Sequence, residues 1–295
     1  MNKSCRLPDC VIPAAGLSSR MGQWKMMLPF PWPDNHMASA GPVYTLLDVA
    51  LAQALSACPR VVLVTGRGHQ ILARRYGNIA RLALVYHPQY QQGMTGSVQA
   101  GLTYLSLLAQ QHSQPMGACL IAHGDMPLVG QRIYRQLNAA MLAIKQGAEV
   151  VFPGRSQLTA NPGRPSDTLL RNNIAGVHPI SDNGDMPYTT GNTTDNATAH
   201  VAGHPVLLSP MACQAVINAA PGHRIKPLLA PLRTHWLQLN DDGLYFDVDT
   251  PAAYRLLRQY LLRQPECAWE ALSAVQQQLS GLQHESTAME KGLRD

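Results

Sequence analysis

The sequence contains no stretch of eighteen or more apolar residues, the length a membrane-crossing helix requires, so no membrane contact is expected. Residues 1 to 10 carry charge but lack the apolar centre and small-residue cleavage site of a secretory signal, which points to a cytoplasmic protein. Runs of like charge are missing too. Basic residues occur as singles and pairs such as Arg74-Arg75, and the formal charge is only +5, so anionic small molecules are expected as partners and nucleic acid is not. The six cysteines, Cys5, Cys10, Cys58, Cys119, Cys213 and Cys267, form no Cys-x-x-Cys pair, which removes the common zinc and dithiol motifs and leaves thiols kept reduced. No internal repeat and no Ser-His-Asp arrangement is recognisable.

With 46% hydrophobic residues over 295 positions, the chain can bury one large core or two small ones. From about residue 9 to 240, short apolar runs alternate with longer amphipathic segments, the pattern of an α/β fold with a mostly parallel open sheet and flanking helices. Strands are expected at 10–14, 60–64, 82–86, 118–122, 149–152, 205–208, 236–239 and 244–248. Helices are expected from about 44, near 69–76, 97–109 and 131–144, and from 251 to about 282 with an interruption at Pro265. Two stretches break the rhythm: a Pro-rich one from 29 to 42 and a polar one from about 154 to 203. The second is long for a compact domain and reads as an ordered excursion or a disordered insertion. The chain thus divides into a domain over 1–260 carrying that insertion and a C-terminal helical extension and tail over 261–295.

Directly after the first strand comes Ala14-Ala15-Gly16-Leu17-Ser18-Ser19-Arg20-Met21-Gly22-Gln23-Trp24-Lys25. Small residues let backbone N–H groups approach a triphosphate, and Arg20 and Lys25, five apart, can neutralise its β- and γ-phosphates. The spacing fits neither a Walker A loop, whose second Gly is followed by Lys, nor the dinucleotide fingerprint Gly-x-Gly-x-x-Gly. The plain alternative is a Gly-rich turn with two surface cations. A second motif, Ile121-Ala122-His123-Gly124-Asp125-Met126-Pro127, sets Asp125 just beyond the C-terminal end of a strand, where open α/β sheets bind ligands. A third, Asp247-Val248-Asp249-Thr250-Pro251, puts two carboxylates on one face of an extended segment before a helix. Together with Asp125 these can clamp Mg²⁺, although an ordinary helix N-cap reads the same. His200 and His204 are four apart, but Gly203 and Pro205 exclude the helix that would align them on a metal.

These motifs, in this order, resemble the MobA-like nucleotidyltransferase family, and within it the molybdenum cofactor cytidylyltransferase branch. His87-Pro88 followed by Gly93-Met94-Thr95-Gly96-Ser97 and Gly101 resembles the family's nucleoside-binding loop, and Gly203-His204-Pro205-Val206-Leu207-Leu208 its acceptor segment. The likeness spans roughly residues 11 to 254 and implies a Rossmann-like, glycosyltransferase-A-like nucleotidyltransferase fold. Ala15 and Gln23 stand where the guanylyl-transferring relatives carry other residues, which favours CTP. Two departures stand out. About fifty residues separate the strand at Val150-Val151-Phe152-Pro153 from Gly203, and the family's Asp-x-Gly-Ala-Arg segment is reduced to residues 221 to 227, where Arg224 and Lys226 face phosphate or are surface cations.

The resemblance implies a Mg²⁺-dependent transfer of CMP from CTP to the terminal phosphate of molybdopterin, releasing pyrophosphate. Arg20, Lys25 and Asp125 are then catalytic; Ala14, Ala15, Gly16, Gly93 and Ser97 join them in binding nucleotide; His204 contacts the acceptor; and Asp125, Asp249 and Asp247 hold the metal. A molybdoenzyme or its chaperone is the implied recipient of the product. Rival readings are a GTP-using or sugar- or polyol-phosphate nucleotidyltransferase, and a non-catalytic carrier of the finished dinucleotide.

Overall fold

A computed structural model describes residues 6–16, 18–32, 43–156, 200–280 and 282. Its centre is a set of parallel strands, β1 (Asp9–Pro13), β2 (Val61–Thr65), β3 (Leu82–Tyr86) and β4 (Cys119–Ile121), in the order β3-β2-β1-β4. β1 and β2 are buried along their whole length, as their β-branched and aliphatic composition requires of strands covered on both faces. Alternation then sorts the side chains. Cys10, Ile12, Val61, Leu63 and Leu120 enter one core, while Val11, Val62, Val64, Cys119 and Ile121 enter the other.

The first core is closed by α1 (Leu46–Leu55), α2 (His69–Tyr76) and α4 (Gln131–Ala139), and the second by α3 (Met94–Gln111). All ten residues of α1 are buried, because a C-terminal helix lies across its outer side. α3 can lie close to the sheet only because Gly101 has no side chain: a Cβ there would come within 2.6 Å of Val11 Cγ1. Ser97 is not the cap of α3. The helix begins at Met94 with Gly93 in the cap position, and Ser97 sits one turn in, 2% exposed.

Beyond β4 the sheet turns antiparallel through β7 (Val206–Leu208) and β5 (Val150–Ser156), and β8 (Thr234–Gln238) pairs β5 in parallel. A short strand that the polar composition hid, β6 (His200–Ala202), pairs antiparallel with Gly154 to Ser156. The polar stretch is therefore clasped at both ends, and its remaining residues, 157–199, lie outside the described ones. The helix expected over 131–144 breaks at Ala140 into α4 and α5 (Met141–Lys145), and α6 (Pro210–Ile217) and α7 (Ile225–Leu229) were not anticipated.

The strand expected at 244–248 does not form. Asp241 accepts from the N–H of Gly243 at 2.9 Å and starts a 3₁₀ turn over Asp242–Tyr245, so a ladder has no room to begin. After this irregular segment α8 (Pro251–Arg263) and α9 (Pro265–Gln278) follow, separated at Pro265 as expected. Ala268, Ala271, Leu272 and Val275 of α9 belong to the same core as α1.

Candidate active site

The phosphate-type loop leaves β1 under tight control. Ala14 N–H donates to the carbonyl of Val64, Ser18 adopts a left-handed backbone (φ 54°), and Gly22 does the same (φ 72°). Met21 and Met26 are buried, pinning the loop on both sides of its exposed crest. Ser18 Oγ accepts from Lys25 N–H at 3.2 Å and closes the turn. The neighbouring loops press on it: a Cβ on Gly66 would lie 2.8 Å from the Ala15 carbonyl and 2.6 Å from the Tyr90 ring, and Trp24 packs over Gly68. Trp24, Gly66 and Gly68 thus shape the candidate site. Trp24 lay in the loop motif without a role of its own, and the one visible signal of the two glycines was Gly-Arg-Gly directly after β2.

Asp125 follows β4 by four residues and is 5% exposed. Gly124 before it must be small, since a Cβ would meet Leu47 Cδ1 at 2.9 Å and Met26 Sδ at 3.0 Å. The Asp125 carbonyl accepts from Val248 N–H at 2.9 Å, which ties the two acidic motifs together. Thr250, not Asp249, caps α8: its side chain accepts from Ala253 N–H at 3.1 Å, leaving Asp249 for other partners. Oxygens of Asp125, Asp247 and Asp249 all lie within 4.8 Å of one another. Both loop cations come to this cluster. Lys25 Nζ donates to Asp125 and Asp249, and Arg20 donates to the other oxygen of Asp249.

The electrostatics are those of crowded negative charge. Burial, then Asp249 and Asp125, push the Asp247 carboxyl up to about 7. Burial alone would lower the Lys25 pKa, but Asp125 and Asp249 outweigh it and raise it. Three carboxylates are hard oxygen donors of the kind Mg²⁺ and Mn²⁺ prefer, and a cation would relieve the repulsion that Asp247 registers, so the donor set fits a divalent metal.

His204 lies beside the cluster through a residue not singled out earlier. Its ring packs on that of His123 with centroids 4.1 Å apart, and His123 Nδ1 is 3.9 Å from Asp125 Oδ1. The N–H of His204 donates to the Leu244 carbonyl at 3.1 Å. Burial, then Lys25, lowers the His123 pKa to about 4, and burial, then His123, takes His204 well below its usual value, so both rings are neutral at pH 7. His123 carried a sequence signal only as the neighbour of Gly124-Asp125.

Not every candidate converges. Gly93 (φ 112°) and Ser97 sit at the start of α3, and among the described residues no hydrogen bond or ion pair joins them to the carboxylates. The bend before α3 needs glycine at 93, and Gly96 must be small because a Cβ there would stand 2.9 Å from His87 Nε2. Arg224 is exposed in the cap position of α7. His200 stacks on Trp236 at 4.5 Å, away from His204's partner.

Comparison with known proteins accords with this geometry. The chain is 36% identical over 174 residues to the molybdenum cofactor cytidylyltransferase of Escherichia coli (strain K12), an alignment covering 55% of this chain and 78% of that one. Its fold resembles the crystal structure of a Mycobacterium tuberculosis Rv0371c homologue from Mycobacterium sp. strain JC1, with a TM-score of 0.56 at 17% identity over 87% of this chain and 97% of that one. It also resembles a nucleotidyl transferase from Methanothermobacter, with a TM-score of 0.52 at 17% identity over 88% and 99%. These structural likenesses establish the fold alone. The model of the MobA-like NTP transferase domain matches residues 10–243, and the chain belongs to that nucleotidyltransferase family.

Proposed function

We propose that the protein transfers CMP from CTP to the terminal phosphate of molybdopterin, in the cytoplasm, releasing pyrophosphate and forming the cytosine dinucleotide of the molybdenum cofactor. One observation carries the reading: two loop cations and three carboxylates converge where β1 and β4 end, and a relative with 36% identity is a molybdenum cofactor cytidylyltransferase. Asp125 and Asp249, with Asp247 beside them, would hold Mg²⁺. Bound there, the ion would neutralise charge on the phosphates and orient the α-phosphate.

The chain's own residues then have simple tasks. Arg20 and Lys25 take up the charge that develops on departing pyrophosphate. The small residues Ala14, Ala15 and Gly16 let the nucleotide lie against backbone, with Gly93 and Ser97 on the nucleoside side. The acceptor phosphate is already anionic and needs no protein base, so His204, neutral and braced by His123, serves to orient the acceptor rather than to move a proton. Catalysis on this reading is positioning and electrostatics.

The test is pyrophosphate release with Mg²⁺ and molybdenum-loaded molybdopterin, comparing CTP, GTP, ATP and UTP. Turnover with CTP alone is expected. Turnover with GTP, or only with a sugar or polyol phosphate as acceptor, would replace the reading, and tight binding without pyrophosphate would mark a carrier.

A further inference from the structure

Lys25 occupies the middle of the carboxylate cluster, bonded through Nζ to both Asp125 and Asp249, while Arg20 holds the remaining oxygen of Asp249. Asp125 and Asp249 are two of the three carboxylates whose oxygens lie within 4.8 Å of one another and which a divalent ion would need. An ammonium and a metal ion on the same two carboxylates would stand within a few ångströms of each other and repel, so the two compete. A triphosphate changes the balance. It offers both side-chain cations anionic oxygens of their own and offers the metal further hard ligands.

The loop is built for such an exchange. Met21 and Met26 are buried and hold its backbone, the Arg20 side chain is 63% exposed, and the Lys25 side chain, at 16%, still reaches the surface at its partners, so Arg20 can swing away freely and Lys25 needs only a short shift of its ammonium to exchange partners without moving the loop. Resting on the nucleotidyl-transfer reading, we infer that the cluster is a site for a metal–triphosphate chelate and not for the free cation, and that Lys25 is the residue that keeps the free cation out. Lys25 yields its two carboxylates when the phosphates of an incoming nucleotide take its ammonium. Metal and nucleotide then bind as coupled ligands, each raising the affinity for the other.

The probe is Mn²⁺ alone, titrated calorimetrically into the full chain with no nucleotide or acceptor, and then repeated with CTP. Lys25→Met is expected to bind Mn²⁺ alone about tenfold more tightly than wild type, and Lys25→Arg, which keeps the charge, to bind it as weakly as wild type. CTP is expected to raise the Mn²⁺ affinity of wild type by a larger factor than that of Lys25→Met. Should Lys25→Met not fold, Lys25→Gln keeps a donor for the carboxylates without the charge and is expected to tighten Mn²⁺ binding in the same direction. Unchanged or weaker Mn²⁺ binding by the neutral variant overturns the inference. Failure of CTP to turn over with any acceptor would defeat the functional reading instead, and the nucleotide-free Mn²⁺ comparison would still decide the role of Lys25.

Discussion

Among the described residues, two clusters of carboxylate and cation can be compared, and they are built on opposite terms. At the start of α1, Asp48 is wholly buried and fully answered: Oδ2 accepts from Arg75 at 2.5 Å and from Thr45 N–H at 2.6 Å, and Oδ1 accepts from Tyr76 Oη at 2.7 Å and Arg75 Nε at 3.1 Å. One charge meets one charge, and each oxygen of Asp48 accepts two hydrogen bonds. Beyond the end of β4, three carboxylates face two cations, and burial together with the repulsion of Asp249 and Asp125 pushes the Asp247 carboxyl up to about 7. A saturated cluster can only hold the fold together. An unsaturated one has capacity left for a ligand, and the difference lies in charge count and donor count as well as in the exposure of Arg20.

Breaking each cluster should therefore hurt a different property. The largest effect is expected from Asp125→Ala, which removes a buried carboxylate from the open cluster: on the proposed function pyrophosphate release should fall on the order of a thousandfold or more, while the thermal midpoint moves little. A variant that melts far below wild type, or that keeps its turnover, would erase the distinction between the two clusters. Next comes Arg75→Ala. It strands the buried Asp48 charge and should cost about 3–5 kcal/mol of stability in urea unfolding, with turnover per folded molecule unchanged. Loss of activity without loss of stability would show that the closed cluster reaches the site.

How much of this could be read in the chain follows from how local each signal is. Asp125, Asp249, Arg20 and Lys25 stand in short motifs beside the first and fourth strands and before a helix, so their grouping could be anticipated from those motifs and their order along the chain. The closed cluster could not. Arg74-Arg75 looks like a pair of surface cations, and only the packing of α2 on α1 turns Arg75 inward to Asp48. β6 was hidden because three residues in a polar stretch carry no alternation, and they form a strand only because β5 extends far enough to receive them. Residues 244–248 alternate like a strand and fail to become one because Asp241 turns the chain first. Nor does spacing reveal that His123 and His204 meet, since 81 positions separate them and a ring contact depends on β4 and β7 being neighbours.

A milder cut separates charge from hydrogen bonding within the closed cluster. Tyr76→Phe keeps the ion pair and removes one of the four donors to Asp48, so a loss of about 1 kcal/mol is expected, well below that of Arg75→Ala. Equal losses for the two variants would mean that saturation, not the counter-charge, is what Asp48 requires.

The smallest expected effect tests a third carboxylate that belongs to neither type. Asp9 is 8% exposed, its Oδ1 has no partner, and its guanidinium neighbours Arg60 and Arg6 stand off at 3.6 and 3.7 Å. Burial raises its pKa above 3.8, and the two arginines only partly oppose this. Because the folded value is the higher one, the stability Asp9 contributes is fully present below about pH 3.8 and is lost as pH rises through the folded value. Asp9→Asn removes that dependence. Relative to wild type it should gain on the order of 0.5 kcal/mol between pH 4 and pH 8 in paired thermal melts. A constant difference across that range would mean that the arginines answer Asp9 as completely as Arg75 answers Asp48, and that loose ion pairs at the start of a central strand suffice for saturation.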